Sequence, residues 1–303
     1  MGGIGDARSP KPRERAREGP PTPSVSGFLE RSDEPPESNW LSSAPSAAGV
    51  LTPGEAEFFE ALVAPWDLFA VFQPIVNLSG GEVFAYESLV RCRLPDLSPT
   101  VLFERAAELR STGRLGRMIR EIAVPLCRGM PLFLNVHPAE LEERWIVQPD
   151  DPIFAHDHDV YIEITESVPL RRPDLCMSIL REVRLRSGAH LVVDDLGAGY
   201  SNLKLISDLE PKVVKLDRSL VAQLDKSPRQ QKLVTMIVRL CEALDASVVA
   251  EGIETHEELR AVCDAGVKYG QGFLLARPGF PPPSVPWPPQ DDEPSALTRR
   301  SGL

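Results

Sequence analysis

The sequence predicts an α/β fold, a TIM-like (β/α)8 barrel with an irregular, partly antiparallel first strand pair. Three observations carry this reading. About eight short β-rich runs lie between residues 69 and 278. Helical patterns separate most of them, and near-continuously apolar strands alternating with helices indicate a parallel sheet covered on its faces. Almost every run also holds one polar residue late in an apolar stretch, and barrels place their chemistry at the C-terminal ends of strands.

The first run, LFAVFQPIV, is joined to EVFAYESLVRC (82–92) by NLSGGE. That link is too short for a crossover helix, so it reads as a hairpin and makes the first two strands antiparallel. The later runs are PLFLNVHP (131–138), DVYIEITES (159–167), HLVVDDLG (190–197), KVVKLD (212–217), SVVAEGIE (247–254) and VKYGQGFLLARP (267–278). Residues 100–127 hold one or two helices. DLCMSILREVRLRSG is amphipathic and stops at Gly188. The next helix opens with Ser227, Pro228 and Gln230, a capping-box start. Thr255 and Glu258 repeat that signature in a helix that closes on Gly266.

The ends differ. Residues 1 to about 50 and the tail from about 281 are rich in Pro, Gly, Ser and charge. Such composition is expected to be disordered or to act as a linker. The expected organisation is therefore 1–50 as tail or linker, 51–280 as the barrel and 281–303 as a Pro-rich tail. PPTP and PSVPWPP are candidate polyproline ligands for a protein partner, and an inert tail is the plainer reading.

With 42% hydrophobic residues the chain can bury a full core. Its formal net charge of -11 argues against bulk binding to DNA or to anionic membranes. A small anion remains compatible if cations mediate. The five cysteines, Cys92, Cys127, Cys176, Cys241 and Cys263, form no CxxC pair, which points to a reducing compartment. No apolar run reaches the length of a membrane span, and no signal-peptide core opens the chain. The expectation is a cytoplasmic protein.

Glu87 lies late in the second run, Asn135 in the third and Glu163 in the fourth. Asp194 and Asp195 end the fifth, Lys215 is in the sixth, Glu251 in the seventh and Gln271 in the eighth. Carboxylates converging on one mouth cannot all be ionised and unpaired. An all-oxygen set of carboxylates and amides suits Mg²⁺ or Mn²⁺. Two adjacent aspartates can hold two such ions, roughly 3.5–4 Å apart, with one bridging. Taken singly, Glu87, Glu163 and Lys215 read as ordinary ion-paired residues, and Asn135 as a loop cap. Their joint placement is what argues for a site. AHDHD (155–159) precedes the fourth run, at the far end from the mouth, and reads as a solvated loop.

The ordered series FQPIV, YESLVR, LNVHP, EITES, DDLGAGYSNL, KLDRSLV, AEGIET and YGQGFLLARP resembles the EAL domain family over residues about 55 to 280. That family comprises cyclic di-GMP-specific phosphodiesterases, and the resemblance implies hydrolysis to linear 5′-pGpG with two Mg²⁺ or Mn²⁺ ions. It also implies roles. Glu87, Asn135 and Glu163 match ligands of a first ion, Asp194 the bridging aspartate and Asp195 a ligand of the second ion. Lys215 matches the lysine that orients the attacking water, and Glu251 and Gln271 complete the metal and water network. Gln73, Leu89, Arg91, Gln271 and Pro278 correspond to substrate-lining positions. Glu166 corresponds to a glutamate that anchors the loop after the fifth strand. A homodimer is implied as well.

Some positions depart from the family pattern. Ser88 stands beside Glu87 in place of alanine, with a hydroxyl expected to be satisfied locally. Leu196 and Asn202 replace Phe and Ser, which bears on loop packing and dimer contact. His137 replaces a small hydroxyl residue and reads as a non-ligand neighbour. Two other readings stand beside this one. The first is an inactive cyclic di-GMP receptor that signals through protein contacts. The second is an enolase-like barrel, which lacks FQPIV and QGF.

Overall fold

A computed structural model describes residues 63–165, 170–198 and 203–289, together with Gly2. The expectations for residues 1–50, for Glu166 and Asn202, and for the last residues of the chain fall outside these.

Eight strands close into a barrel in sequence order. They are β1 (Leu68–Asn77), β2 (Val83–Cys92), β3 (Leu132–Asn135), β4 (Val160–Thr165), β5 (His190–Leu196), β6 (Val213–Leu216), β7 (Ser247–Ala250) and β8 (Tyr269–Gly270). β1 runs antiparallel to both of its neighbours, and the other neighbouring pairs are parallel. The antiparallel pair arises at the tight link, where Gly81 N donates to Asn77 O at 2.8 Å and Asn77 N to Glu82 O at 2.9 Å.

The helices are α1 (Pro99–Glu108), α2 (Thr112–Leu126), α3 (Pro138–Glu143), α4 (Pro173–Ser187), α5 (Leu203–Leu209), α6 (Arg218–Val221), α7 (Pro228–Ala243) and α8 (His256–Asp264). None among the described residues is long and apolar enough to cross a membrane. α4 ends on Gly188 in the left-handed region, φ 72, a conformation that costs glycine nothing. α8 has the expected reciprocal capping box of Thr255 and Glu258. α7 differs from expectation. Ser227 caps it by accepting from Gln230 N at 3.3 Å, but the Gln230 amide donates to Leu220 O instead of turning back to the cap. Its longer side chain finds those carbonyls before the cap's own N–H.

The barrel interior is layered. Ile75, Ala85, Phe133, Tyr161, Val192, Val213, Val249 and Tyr269 form one apolar cluster, one residue from each strand. Side chains alternate faces along a strand, so the residue two positions away points inward again. On β2 to β8, two residues on, these are Glu87, Asn135, Glu163, Asp194, Lys215, Glu251 and Gln271. On the reversed β1 the equivalent lies two residues earlier and is Gln73. The apolar layer therefore carries a ring of eight polar side chains. Glu251 and Gln271 lie one residue beyond β7 and β8, yet the ladder still holds them. Glu251 N donates to Leu216 O at 3.1 Å and Gln271 N to Ala250 O at 2.9 Å.

A second buried charge cluster lies outside the barrel. Arg120 of α2 donates to Asp151 through Nε at 3.0 Å and Nη2 at 2.7 Å, and its Nη1 is 2.5 Å from Glu140 Oε1 of α3. Asp151 also accepts from Ile153 N at 3.2 Å. Gly116 makes room for this cluster, because a Cβ there would sit 2.1 Å from Glu140 Oε2.

Three expectations need correction. Residues 281–289 of the expected tail do not hang free: Tyr86 Oη donates to Pro283 O at 3.0 Å, and Val285 packs on the core. Composition read this stretch as a linker, but its Val and Trp side chains find a surface. Ser88 is buried, and its Oγ has no hydrogen-bond partner among the described residues. It points out of the barrel, where its neighbours are apolar. The AHDHD loop is not wholly solvated. The His156 side chain is 1% exposed, with Nε2 3.0 Å from Met130 O.

Candidate active site

Gln73, Glu87, Glu163, Asp194, Lys215 and Gln271 are all buried in the ring, while Glu251 is half-buried and Asn135 exposed. The Lys215 ammonium lies 2.7 Å from Glu163, 2.7 Å from Glu251, 3.1 Å from Asp194 and 3.4 Å from Glu87. One cation thus faces four carboxylates. An ammonium offers three N–H donors, so it cannot satisfy the set, and Glu163 Oε2 is left buried without a hydrogen bond among the described residues.

The carboxylates respond unequally. Burial pushes Glu87 up, but the Lys215 charge and hydrogen bonds from Gln271 and Asn135 outweigh it, and its pKa falls below the usual value. Gln271 Nε2 donates to Glu87 Oε2 at 2.7 Å and Asn135 Nδ2 to Oε1 at 3.1 Å. Burial raises Glu163 well above the usual carboxylate range, and the charge of Glu87 adds to this. Burial likewise raises Asp194, against the pull of Lys215. Glu251 is pushed up to about 8 by burial. Burial disfavours the Lys215 charge, yet Asp194, Glu163 and Glu251 more than offset it and hold its pKa well above the usual value.

Asp195 needs a separate device. Next to Asp194 in a regular strand it would point away from the mouth. The β5–β6 register shifts between Val193 and Leu196, and Asp195 adopts a left-handed φ of 60. Such a bulge re-aims a side chain, at a backbone cost on the order of 1 kcal/mol. Thr165 Oγ1 donates to Asp195 Oδ2 at 3.0 Å and fixes the outcome. One oxygen from each of Asp194, Asp195 and Glu251 then lies within 4.8 Å of the others. This hard-oxygen donor set fits a divalent cation.

The EAL domain family model matches residues 56–278. The chain belongs to the EAL domain family. A cyclic di-GMP phosphodiesterase of Pseudomonas aeruginosa is 33% identical over 232 residues, which are 72% of this chain and 39% of that relative. The chain therefore spans well under half of that protein. A second one from the same organism, the cyclic di-GMP phosphodiesterase RocR, is 29% identical over 290 residues, 91% of this chain and 70% of the relative. Klebsiella pneumoniae BlrP1, solved with manganese and cyclic di-GMP, superposes with a TM-score of 0.61 at 31% identity. That match covers 70% of this chain and 56% of BlrP1.

Around the mouth of this EAL domain, β1 and β2 rise above the other strands as a wall. Each has 10 residues against 4 in β3, β6 and β7. Glu87, Leu89 and Arg91 share one face of β2, which puts Arg91 ~13 Å above Glu87 along the strand. Arg91 is half-buried and pairs across the hairpin with Phe69. Its Nη1 donates to Val90 O at 2.9 Å. Burial lowers its pKa and the charge of Glu87 works the other way. Gln73 Nε2 donates to Ala276 O at 3.1 Å, while its Oε1 accepts from Gln271 at 3.0 Å. Pro278 is half-buried on the same segment after β8.

The ring thus brings together Gln73, Glu87, Asn135, Glu163, Asp194, Lys215, Glu251 and Gln271, with Asp195 added by the bulge. Leu89, Arg91 and Pro278 stand higher, on the wall and the exit from β8. Glu166 lies outside the described residues. His137 is a structural neighbour: it caps α3 by accepting from Ala139 N at 3.2 Å and stacks on Phe103. Leu196 is 1% exposed and pairs with Leu216. Sequence reasoning missed Thr165, although it stands two residues after Glu163 in the EITES run.

Proposed function

We propose that this EAL domain hydrolyses cyclic di-GMP to linear 5′-pGpG with two Mg²⁺ or Mn²⁺ ions. The observation that carries the reading is the ring itself, four carboxylates around a single ammonium with Asp195 turned in beside them. Membership of the EAL family and the named phosphodiesterase relatives support it. Glu87, Asn135, Glu163 and Asp194 would hold one ion, with Asp194 shared and Asp195 on the second. Glu251 completes the set. Bound there, divalent ions supply positive charge against the phosphate and acidify a water to near-neutral pKa.

The chain's own groups do the rest. Lys215, kept charged by its carboxylates, donates to the attacking water and holds it in line with phosphorus. Gln271 and Asn135 hold Glu87 ionised. Arg91 offsets charge on the phosphate oxygens and, with Gln73, Leu89 and Pro278, lines the nucleotide. One water adds across one P–O bond: its oxygen joins phosphorus and the 3′ oxygen leaves with a proton. The reading includes a cytoplasmic homodimer with the barrel over residues 51–280.

The test is chromatography of cyclic di-GMP after incubation with the purified chain and, in separate runs, Mn²⁺ and Mg²⁺. Linear dinucleotide is expected, lost in Glu87→Ala and Lys215→Ala by at least on the order of 10²–10³-fold in kcat. Nucleotide that is bound but left intact with both metals would overturn the reading in favour of a receptor.

A further inference from the structure

β1 and β2 are joined by a hairpin, so no crossover helix follows β1 to cover their outer face. In this chain the Pro-rich segment after β8 takes that place. Gly279 exchanges two backbone hydrogen bonds with Phe72, at 2.8 and 2.9 Å. Phe280 packs on Phe72 with ring centroids 6.2 Å apart. Pro283 O accepts from Tyr86 Oη at 3.0 Å. At the far end Trp287 seats on the hairpin turn, so closely that a Cβ on Gly81 would lie 2.0 Å from its Cγ. Pro281, Pro282, Pro283, Pro286, Pro288 and Pro289 stiffen the segment. Proline's fixed φ lowers the entropy lost in pinning it, and its missing N–H leaves fewer donors to satisfy.

We propose that residues 279–289 are a strap that positions the Glu87 side of the ring, with Trp287 as its anchoring residue. The path is short. Phe72, held by the strap, is the strand neighbour of Gln73, and alternation points one outward and the other into the ring. Gln73 is fixed by Ala276 O, three residues before the strap begins, and accepts from Gln271. The same Gln271 nitrogen donates to Glu87. Loosening the strap therefore loosens the amide that holds Glu87 in place. Trp287 touches none of the reacting groups. It is a positioning residue, and its role rests on the metal-binding part of the proposed function.

The test compares wild type, Trp287→Ala, Trp287→Phe and Tyr86→Phe as full chains, by calorimetric titration with MnCl2 alone and by thermal unfolding. Trp287→Ala is expected to weaken Mn²⁺ binding about tenfold, and Trp287→Phe to restore most of it. Tyr86→Phe, which removes only the hydrogen bond to Pro283, is expected to weaken binding two- to threefold while the fold stays intact. That variant keeps the proposal testable if Trp287→Ala does not fold. Mn²⁺ affinity unchanged in Tyr86→Phe, and in Trp287→Ala where it folds, would overturn the strap's role, whatever the melting temperature does. Tight Mn²⁺ binding by wild type without cleavage of cyclic di-GMP would sink the proposed reaction and leave the strap standing.

Discussion

Two buried charge clusters in this molecule solve the same problem in opposite ways. Outside the barrel, Arg120 meets Asp151 and Glu140, one cation for two carboxylates. Its planar fork reaches Asp151 through two nitrogens, and Asp151 also takes a backbone N–H. Inside, Lys215 meets Glu163, Glu251, Asp194 and Glu87, one cation for four. Formally the first cluster is one negative charge in excess and the second is three. The outer cluster joins α2, α3 and the turn at Asp151. The ring is built with a deficit that no side chain fills. Burial, with neighbouring carboxylates adding to it, raises Glu163, Asp194 and Glu251, so a metal-free ring favours protonated carboxyls. A metal-loaded ring has no such preference.

The largest contrast is expected from removing each cation. Arg120→Met leaves two buried carboxylates unpaired and should cost about 3–5 kcal/mol of stability, read by urea unfolding. Added Mn²⁺ should raise the Tm of this variant no more than that of wild type. Lys215→Met should instead be stabilised by Mn²⁺ more than wild type is, because the ions then supply the missing charge.

Gly116→Ala drives a methyl group into the buried Glu140 carboxylate. It should destabilise by about 1–3 kcal/mol with the Mn²⁺ titration unchanged, which would confirm that the two clusters are independent.

Proton linkage is shared by the two clusters, because burial also pushes Glu140 up to about 7, and only the ring couples it to metal. Glu251 moves from 4.5 to about 8 on folding, so between those values the folded state holds a proton that the unfolded chain has lost. Stability of the metal-free protein should therefore be greatest at the acid end of that window and fall as pH rises through it. Metal ligation requires the ionised form. Mn²⁺ affinity should rise with pH through that window, by up to about tenfold per pH unit for each proton released. Titrations in buffers of different ionisation enthalpy measure those protons.

The smallest effect is expected at Ser88. Its buried, unpartnered Oγ should make Ser88→Ala stabilising by about 1 kcal/mol, with cyclic di-GMP cleavage unaltered. A loss of activity there would mean that the outer face of β2 bears on the ring directly.

The barrel was legible in the sequence because both of its periodicities are local. Each apolar strand residue and its polar successor stand two apart, and the loop lengths separate the hairpin from the crossovers. The ring members were legible for the same reason. That all four carboxylates share Lys215 was not, since it depends on closure of strands far apart in the chain. Asp195 was read as facing the site, but the bulge and left-handed backbone that turn it there leave no periodic trace. Arg120 and Glu140 sit on helices where charge ordinarily means surface, so composition hid the outer cluster. The strap was hidden by proline itself, which marks linkers and pinned segments alike.

The most direct test of the ring's charge deficit is a calorimetric Mn²⁺ titration of wild type and Asp194→Asn at pH 8. Saturable uptake of two ions per wild-type chain is expected, lost or reduced to one weak site in the folded Asp194→Asn variant. Absence of saturable uptake, or uptake identical in the two proteins, would contradict it.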